Sequence, residues 1–328
     1  MKYFLTGGTG FIGGRVARQL REAGHEVVAL VRDPAKAVDL AALGARLAAG
    51  DITDKATLRD PMTGVDGVFH VAGWYKIGVR NTDAGQRINV EGTRNVLETM
   101  RDLNIPRGVY TSTLAVNSDT HGQIVDEAYR YDGPHLSEYD RTKWAAHHDV
   151  AEPMAADGLP LVTVMPGLVY GPGDTSVMHD VMRQYLQRRL PMVPQQTAYC
   201  WAHVDDVARG HIVAMEQGRE GESYMICGEP YTLVKALELA EQITGVPAPP
   251  LKVPPVMLKV GSALARAAEL FTTLPAAYSS EGMRVSAGVT YLGDNSKARR
   301  ELGYAPRPLA EGLRETLLHD LRQLEIQP

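Results

Sequence analysis

Lys2-Tyr3-Phe4-Leu5-Thr6-Gly7-Gly8-Thr9-Gly10-Phe11-Ile12-Gly13 is the stretch on which the fold turns. A short apolar run enters a cluster of glycines, and a helical pattern follows at once. Ile12, Val16 and Leu20 recur at i, i+4, which predicts a helix over 10–22, and Gly24 caps its C-terminus. The glycines have a physical reason. They let the backbone turn tightly and approach a pyrophosphate with no Cβ in the way, while the helix N-terminus attracts negative charge. Gly13 lets the helix lie close to the strand. Gly7, Thr9, Gly10, Phe11, Ile12 and Gly13 are therefore candidate dinucleotide-binding residues.

Outward from this turn, the pattern repeats. The run Val27-Val28-Ala29-Leu30-Val31 suits a strand covered on both faces, as in a parallel sheet. Further strands are predicted near 45–48, 67–71, 108–112 and 161–165, with helices between them, notably over 89–103 and 137–155. A repeated strand–helix–strand rhythm implies an α/β fold, a Rossmann-type doubly wound parallel sheet with right-handed connections. The rhythm decays after Pro166. Five prolines between 247 and 255 forbid regular structure there, and helices are expected on either side, over 233–244 and 256–270. The expected division is a dinucleotide-binding domain over 1–168, with 198–227 returning to it through a buried strand near 223–227. Residues 169–197 and 228–328 would form a smaller, mostly helical substrate domain.

The bulk numbers exclude several classes. The chain has 328 residues, 44% apolar and 22% charged, with 34 Lys+Arg against 39 Asp+Glu and a net charge of −5. These are the proportions of an ordinary globular protein, with no basic footprint for nucleic acid. The N-terminal apolar run ends at Leu5, too short for a secretory segment, and charges interrupt the most lipid-like stretch, 256–271. A cytoplasmic protein without a membrane span is expected. Cys200 and Cys227 read as reduced, buried thiols.

The end of the second strand bears on cofactor choice. An acid there bonds a ribose 2′-hydroxyl, whereas an Arg accommodates a 2′-phosphate. Val31 stands where the acid is expected and Arg32 follows it, which favours NADP. In the alternative, Arg32 is solvated surface, Asp33 serves the ribose, and NAD is bound. Farther on, Tyr139 and Lys143 stand four apart on a helix and face the same way. An adjacent ammonium would lower the phenol pKa and suit it to proton transfer at a carbonyl or alcohol oxygen. His147-His148 have no Cys or acid at ligand spacing and read as surface or packing residues. Among other residues, no H-E-x-x-H, G-x-S-x-G or P-loop lysine occurs, and no metal site is expected.

The combination resembles the extended short-chain dehydrogenase/reductase family over essentially the whole chain. The matching pieces are Thr6–Gly13, Gly50-Asp51-Ile52, His70-Val71-Ala72-Gly73, Asn89-Val90-Glu91-Gly92-Thr93, Tyr110-Thr111-Ser112-Thr113 and Tyr139–Lys143. They continue with Pro166-Gly167-Leu168-Val169-Tyr170-Gly171-Pro172-Gly173, His203–Ala208 and Asp294–Ala298, in the family's order and spacing. The resemblance implies a seven-stranded sheet in the order 3-2-1-4-5-6-7. It implies that Asp51 and Ile52 hold the adenine and that Ala72 and Gly73 lie against the ribose-phosphate, with Val71, Asn89 and Thr111 also at the cofactor. Pro166 and Leu168 would sit near the carboxamide. Tyr139 would be the acid/base, Lys143 would bond the nicotinamide ribose and depress the Tyr139 pKa, and Thr113 would take the family's Ser/Thr role, with Ser112 as runner-up. His203 and Asp205-Asp206 would be a structural, helix-capping segment.

Two departures point away from nucleotide-sugar enzymes. Leu168 replaces their usual Asn, and Tyr199-Cys200-Trp201 stands where they carry a diphosphate-gripping Arg. Val31-Arg32-Asp33-Pro34 is similar to the dihydroflavonol reductase-like branch. The expectation is an NADP-dependent reductase of a lipophilic ketone or aldehyde. A nucleotide-sugar epimerase or dehydratase with tightly held NAD, and a non-catalytic NAD(P)-binding sensor, remain as alternatives. The partner would be a small-molecule carbonyl or alcohol, with no nucleic acid, and a homodimer is left open.

Overall fold

The computed structural model describes residues 1–79 and 81–325. Seven parallel strands form the main sheet. Six come in the first half: β1 (Lys2–Thr6), β2 (Glu26–Val31), β3 (Arg46–Ala49), β4 (Gly67–His70), β5 (Gly108–Thr111) and β6 (Leu161–Pro166). The seventh, Ser223–Ile226, pairs in parallel with β6 and ends a sheet that reads β3-β2-β1-β4-β5-β6 up to it. This is the expected order and the expected doubly wound fold. All of Val27–Val31 is buried, as an unbroken apolar run on a covered strand should be.

The sheet divides two apolar cores. On one face, helix α1 (Phe11–Glu22) buries Val16, Ala17 and Leu20 beside Val207 and Ile212 of the helix Val204–Gln217. On the other, Val96, Leu97 and Met100 of the helix Gly92–Asp102 meet Ala146 and Val150. The chain runs outward from β1 through β2 to β3, then returns to β4 on β1's other side. That reversal opens a crevice beyond the C-terminal ends of β1 and β4, where Thr6 stands in register with His70.

Two helices differ from their predicted form. The expected helix over 89–103 starts earlier, at Asp83, and passes through a π-helical segment, Gln86–Glu91, before Gly92–Asp102. The helix expected over 137–155 runs as Glu138–Ala145, a π-helical segment Ala146–Ala151, and Glu152–Ala156. A 3.6-residue apolar period does not reveal a wider turn, because one inserted residue shifts the buried face without abolishing it.

Beyond Pro166, a small sheet centres on Ala198–His203. Leu168–Tyr170 and Thr290–Tyr291 pair with it in parallel, and Pro230–Thr232 pairs antiparallel. The helices Leu233–Thr244 and Leu309–Gln323 pack on it through a third core that includes Trp201, Leu237 and Leu313. Among the described residues, no helix is long and apolar enough to cross a membrane.

Candidate active site

The glycine turn forms as the sequence implies, and contact explains why. Gly7 has φ +74°, and a Cβ there would stand 2.6 Å from the Ala72 amide nitrogen. A Cβ on Gly13 would meet the Gly7 carbonyl at 2.2 Å, so any side chain would push α1 off the turn. Gly10 is the N-cap of α1 and no side chain caps the helix, so its first-turn N–H groups open on the crevice. Thr9 and Gly10 are exposed, and Phe11 and Ile12 are half-buried. A glycine cradle with bare helix-terminal donors fits a dinucleotide pyrophosphate.

At the end of β2, Arg32 is exposed and makes no hydrogen bond or ion pair among the described residues. Asp33 is engaged. Its carboxylate accepts from the Ala35 amide at 3.1 Å and pairs with Lys36 at 3.4 Å. Asp51 accepts from the Thr53 amide and hydroxyl, both at 2.9 Å and both on Oδ1, while Ile52 is buried beside it. Val71 and Ala72 are half-buried and Gly73 is exposed on the loop that touches Gly7. Asn89 does not face the crevice freely: its Oδ1 accepts from the Trp74 amide at 2.6 Å. Its Nδ2 donates to the Trp74 carbonyl at 3.0 Å and to Thr142 Oγ1 at 2.9 Å. It clamps the loop after β4 to the helix of Tyr139.

Tyr139 and Lys143 project from the helix Glu138–Ala145, which Ser137 caps through the Asp140 amide. Tyr139 is half-buried, with the Tyr75 ring edge-on at 4.8 Å. Burial pushes its phenol above the ordinary value, and a hydrogen bond from the Thr113 side pulls it back in part. The expected lowering by Lys143 is not seen. The Lys143 ammonium turns to the Thr111 carbonyl at 2.7 Å and the Tyr110 hydroxyl at 3.1 Å. Burial lowers its own pKa to about 7, and no carboxylate among the described residues pairs with it.

Neighbouring hydroxyls diverge at the end of β5. Thr113 is half-buried beside Tyr139, where its Oγ1 also accepts from the Ala115 amide at 3.1 Å. Ser112 is buried and points the other way, to His147 Nδ1 at 2.6 Å. Thr111 bonds His211 Nε2 at 2.8 Å. Pro166 ends β6, and Leu168, half-buried, begins the next strand. A Cβ on the intervening Gly167 would meet the Cys200 carbonyl at 2.1 Å. Both cysteines are buried free thiols, as read.

Several buried groups escaped the sequence reading. His70 bonds Thr6 Oγ1 at 2.8 Å and Thr93 Oγ1 at 3.0 Å, with its ring stacked on Tyr110. Burial lowers its pKa to about 3, so it is neutral and structural. Asp140 is buried, accepting from Ser137 at 2.7 Å and Tyr291 at 3.2 Å, and burial raises its pKa to about 7. An acid in a helix's first turn ordinarily reads as a dipole partner, and nothing in the sequence marked it as buried. His147 and His148 do have an acid: Glu152 Oε atoms lie 3.3 and 2.9 Å away. Arg130 already occupies that carboxylate, which makes the cluster a salt-bridged packing unit. His203 caps its helix at the Asp205 amide, as the resemblance implied, and Arg307 lies on Asp206 and Glu315.

Comparison with known proteins shows the family. The family model described as "NAD dependent epimerase/dehydratase family" matches residues 3–227. A Synechocystis protein provisionally named dihydroflavonol 4-reductase is 32% identical over 96% of this chain and 93% of its own. A Stigmatella aurantiaca protein named 4-hydroxy-2-methyl-3-oxo-4-farnesyl-3,4-dihydroquinoline-1-oxide ketoreductase is 32% identical, covering 94% and 92%. The crystal structure of gox2253 superposes with a TM-score of 0.85 at 30% identity, covering 99% of each chain. The chain belongs to the NAD-dependent epimerase/dehydratase family, as an extended short-chain dehydrogenase/reductase with an NAD(P)-dependent activity.

Proposed function

We propose that the protein is an NADP-dependent reductase of a lipophilic ketone or aldehyde. The observation that carries the reading is the Tyr139 phenol set beside the Thr113 hydroxyl under the Tyr75 ring. A substrate oxygen bonded by both hydroxyls is oriented by Thr113 and protonated by Tyr139. When bound, the nicotinamide supplies the hydride that reduces the carbonyl carbon. Lys143, now on the Thr111 carbonyl and the Tyr110 hydroxyl, is the donor available to the nicotinamide ribose. Gly7, Thr9 and Gly10 with the bare terminus of α1 would take the pyrophosphate, and Asp51 the adenine. Pro166 and Leu168 would flank the carboxamide.

Arg32 supports NADP over NAD. It is unpaired and exposed, while Asp33, the rival, is spent on Ala35 and Lys36. The half-buried Leu168 and the farnesylated substrate in the Stigmatella relative's name support a lipophilic carbonyl. The segment Tyr199-Cys200-Trp201 itself carries no cationic side chain to grip a sugar-nucleotide diphosphate. A panel of carbonyl compounds followed at the NADPH absorbance band tests the reaction. Oxidation of NADPH by apolar ketones is expected. Activity confined to nucleotide sugars, or a nicotinamide that co-purifies and never exchanges, would overturn it.

Cofactor choice is tested separately. A hydrogen bond to a charged group contributes roughly 1.5–3 kcal/mol, so Arg32 should favour NADP by ~10- to 100-fold. Arg32→Ala should erase most of that preference and leave NAD affinity nearly unchanged. Equal affinity for both cofactors in the native protein would assign the ribose to Asp33.

A further inference from the structure

The helix Pro255–Ala268 buries only Ala265. Along it and the turn that follows, Val256, Met257, Val260, Leu264, Leu270 and Phe271 are between 57% and 90% exposed. At about 100° per residue, the first four fall within an arc of roughly 100°, and Ala263 and Ala267 extend the same strip. Lys259 and Arg266 stand together along one edge of it, with no ion pair among the described residues. The acids of this region face inward. Glu269 accepts from the Ser280 amide and hydroxyl, both at 2.7 Å, and Glu281 accepts from the amides of Gly78 and Glu138.

We propose that this face docks on an anionic lipid surface, lying in the headgroup plane without spanning the bilayer. The apolar strip would enter the acyl boundary while Lys259 and Arg266 reach up to lipid phosphates. Charge complementarity selects this occupant. The same face of a second copy would bring an equally cationic edge, with its two acids, Glu269 and Glu281, already bound. Phosphates on a membrane supply the missing negative charge. The next helix, Ser280–Val285, carries the Glu281 and Arg284 contacts to Gly78, Glu138 and Leu136, so the docking face is joined directly to the mouth beside Tyr139. The docking requires no particular reaction and is read without substrate.

Co-sedimentation with vesicles of phosphatidylcholine, alone or mixed with phosphatidylglycerol, is the test. The full chain should pellet with the mixed vesicles, and less so at high salt. The double change Leu264→Glu, Phe271→Glu should lower that partition on the order of tenfold or more. Lys259→Gln with Arg266→Gln should bring binding on mixed vesicles down to the level on phosphatidylcholine. All four positions are exposed, and unchanged NADPH binding by each variant checks that it is folded. A chain that stays in the supernatant with mixed vesicles would overturn the proposal, as would a Leu264→Glu, Phe271→Glu variant that pellets like the parent. Light scattering that finds a dimer in the parent and a monomer in that variant would give the face to a second copy instead, and would equally overturn it.

Discussion

Ser112 and Thr113 are adjacent in sequence, yet one hydroxyl is bound to His147 and the other lies beside Tyr139. Removing them should therefore do different things. Thr113→Val should lower kcat/KM by about tenfold, the worth of one hydrogen bond, and cost about 0.5–2 kcal/mol of stability because Thr113 Oγ1 also caps the next turn at the Ala115 amide. Ser112→Ala leaves the buried His147 Nδ1 unpaired, so it should cost about 1–3 kcal/mol in a melting experiment while sparing turnover. The opposite pattern would move the substrate contact to Ser112. Tyr139→Phe should cut turnover by roughly 10²–10⁴-fold with little change in NADPH affinity, because the lost hydroxyl moves a proton and holds no cofactor. Asp140 makes a pH prediction. Its folded pKa is raised from 3.8 to about 7, so the native state binds the proton more tightly than the unfolded chain. That stabilisation is complete below pH 3.8 and is lost as pH rises through about 7. Asp140→Asn removes the charge and leaves one acceptor oxygen, so one of the Ser137 and Tyr291 bonds is kept and the other hydroxyl must turn to accept from the amide. Its melting temperature should exceed the parent's above pH 7 and converge with it below pH 3.8. Tyr139 and Lys143 were singled out by residue type and spacing and Thr113 by the family resemblance, and the structure sets Tyr139 and Lys143 on one helix. The burial of His70 and Asp140 was not legible, since Thr6, Thr93 and Tyr291 come from segments far away in sequence, and Glu152 was missed although His148 stands only four residues before it.

Elements were legible where one physical signal dominated. The run from Val27 to Val31 could only be a covered strand, and the glycines at 7 and 13 could only be a tight turn under a helix. The π-helical segments were invisible because they change the pitch and keep the apolar face. The strand β3 lies one residue later than expected, at Arg46–Ala49, where only the two middle residues are half-buried and both ends are exposed. The two glycines at the start of α1 separate contact from propensity. Gly13→Ala would drive a Cβ to 2.2 Å from the Gly7 carbonyl, so it should weaken NADPH binding and lower stability. Gly14→Ala meets its nearest atom, the Gly8 carbonyl, at 3.4 Å. Helical Ala is preferred over Gly by about 1 kcal/mol, so this change should be neutral or stabilising. Parallel titration and melting of the two variants checks both.

At the scale of the molecule, Glu281 joins the C-terminal part to the site by accepting from the Gly78 and Glu138 amides. Glu281→Ala should release the loop after β4, raising KM and exposing residues 74–79 to limited proteolysis, with the main sheet unaffected. Doubly wound topology was legible from the strand–helix rhythm, whereas the small sheet around Ala198–His203 was not, because its short strands carry no period of their own. The last place in the main sheet is filled late. Every residue of β6 is buried, yet its outer neighbour is Ser223–Ile226, roughly 60 residues downstream. At about 5–20 residues per second, a ribosome leaves that edge bare for several seconds after β6 has emerged. The nascent chain thus presents an apolar, unpaired strand rim during synthesis, the kind of surface that chaperones bind and that aggregates when it is left open.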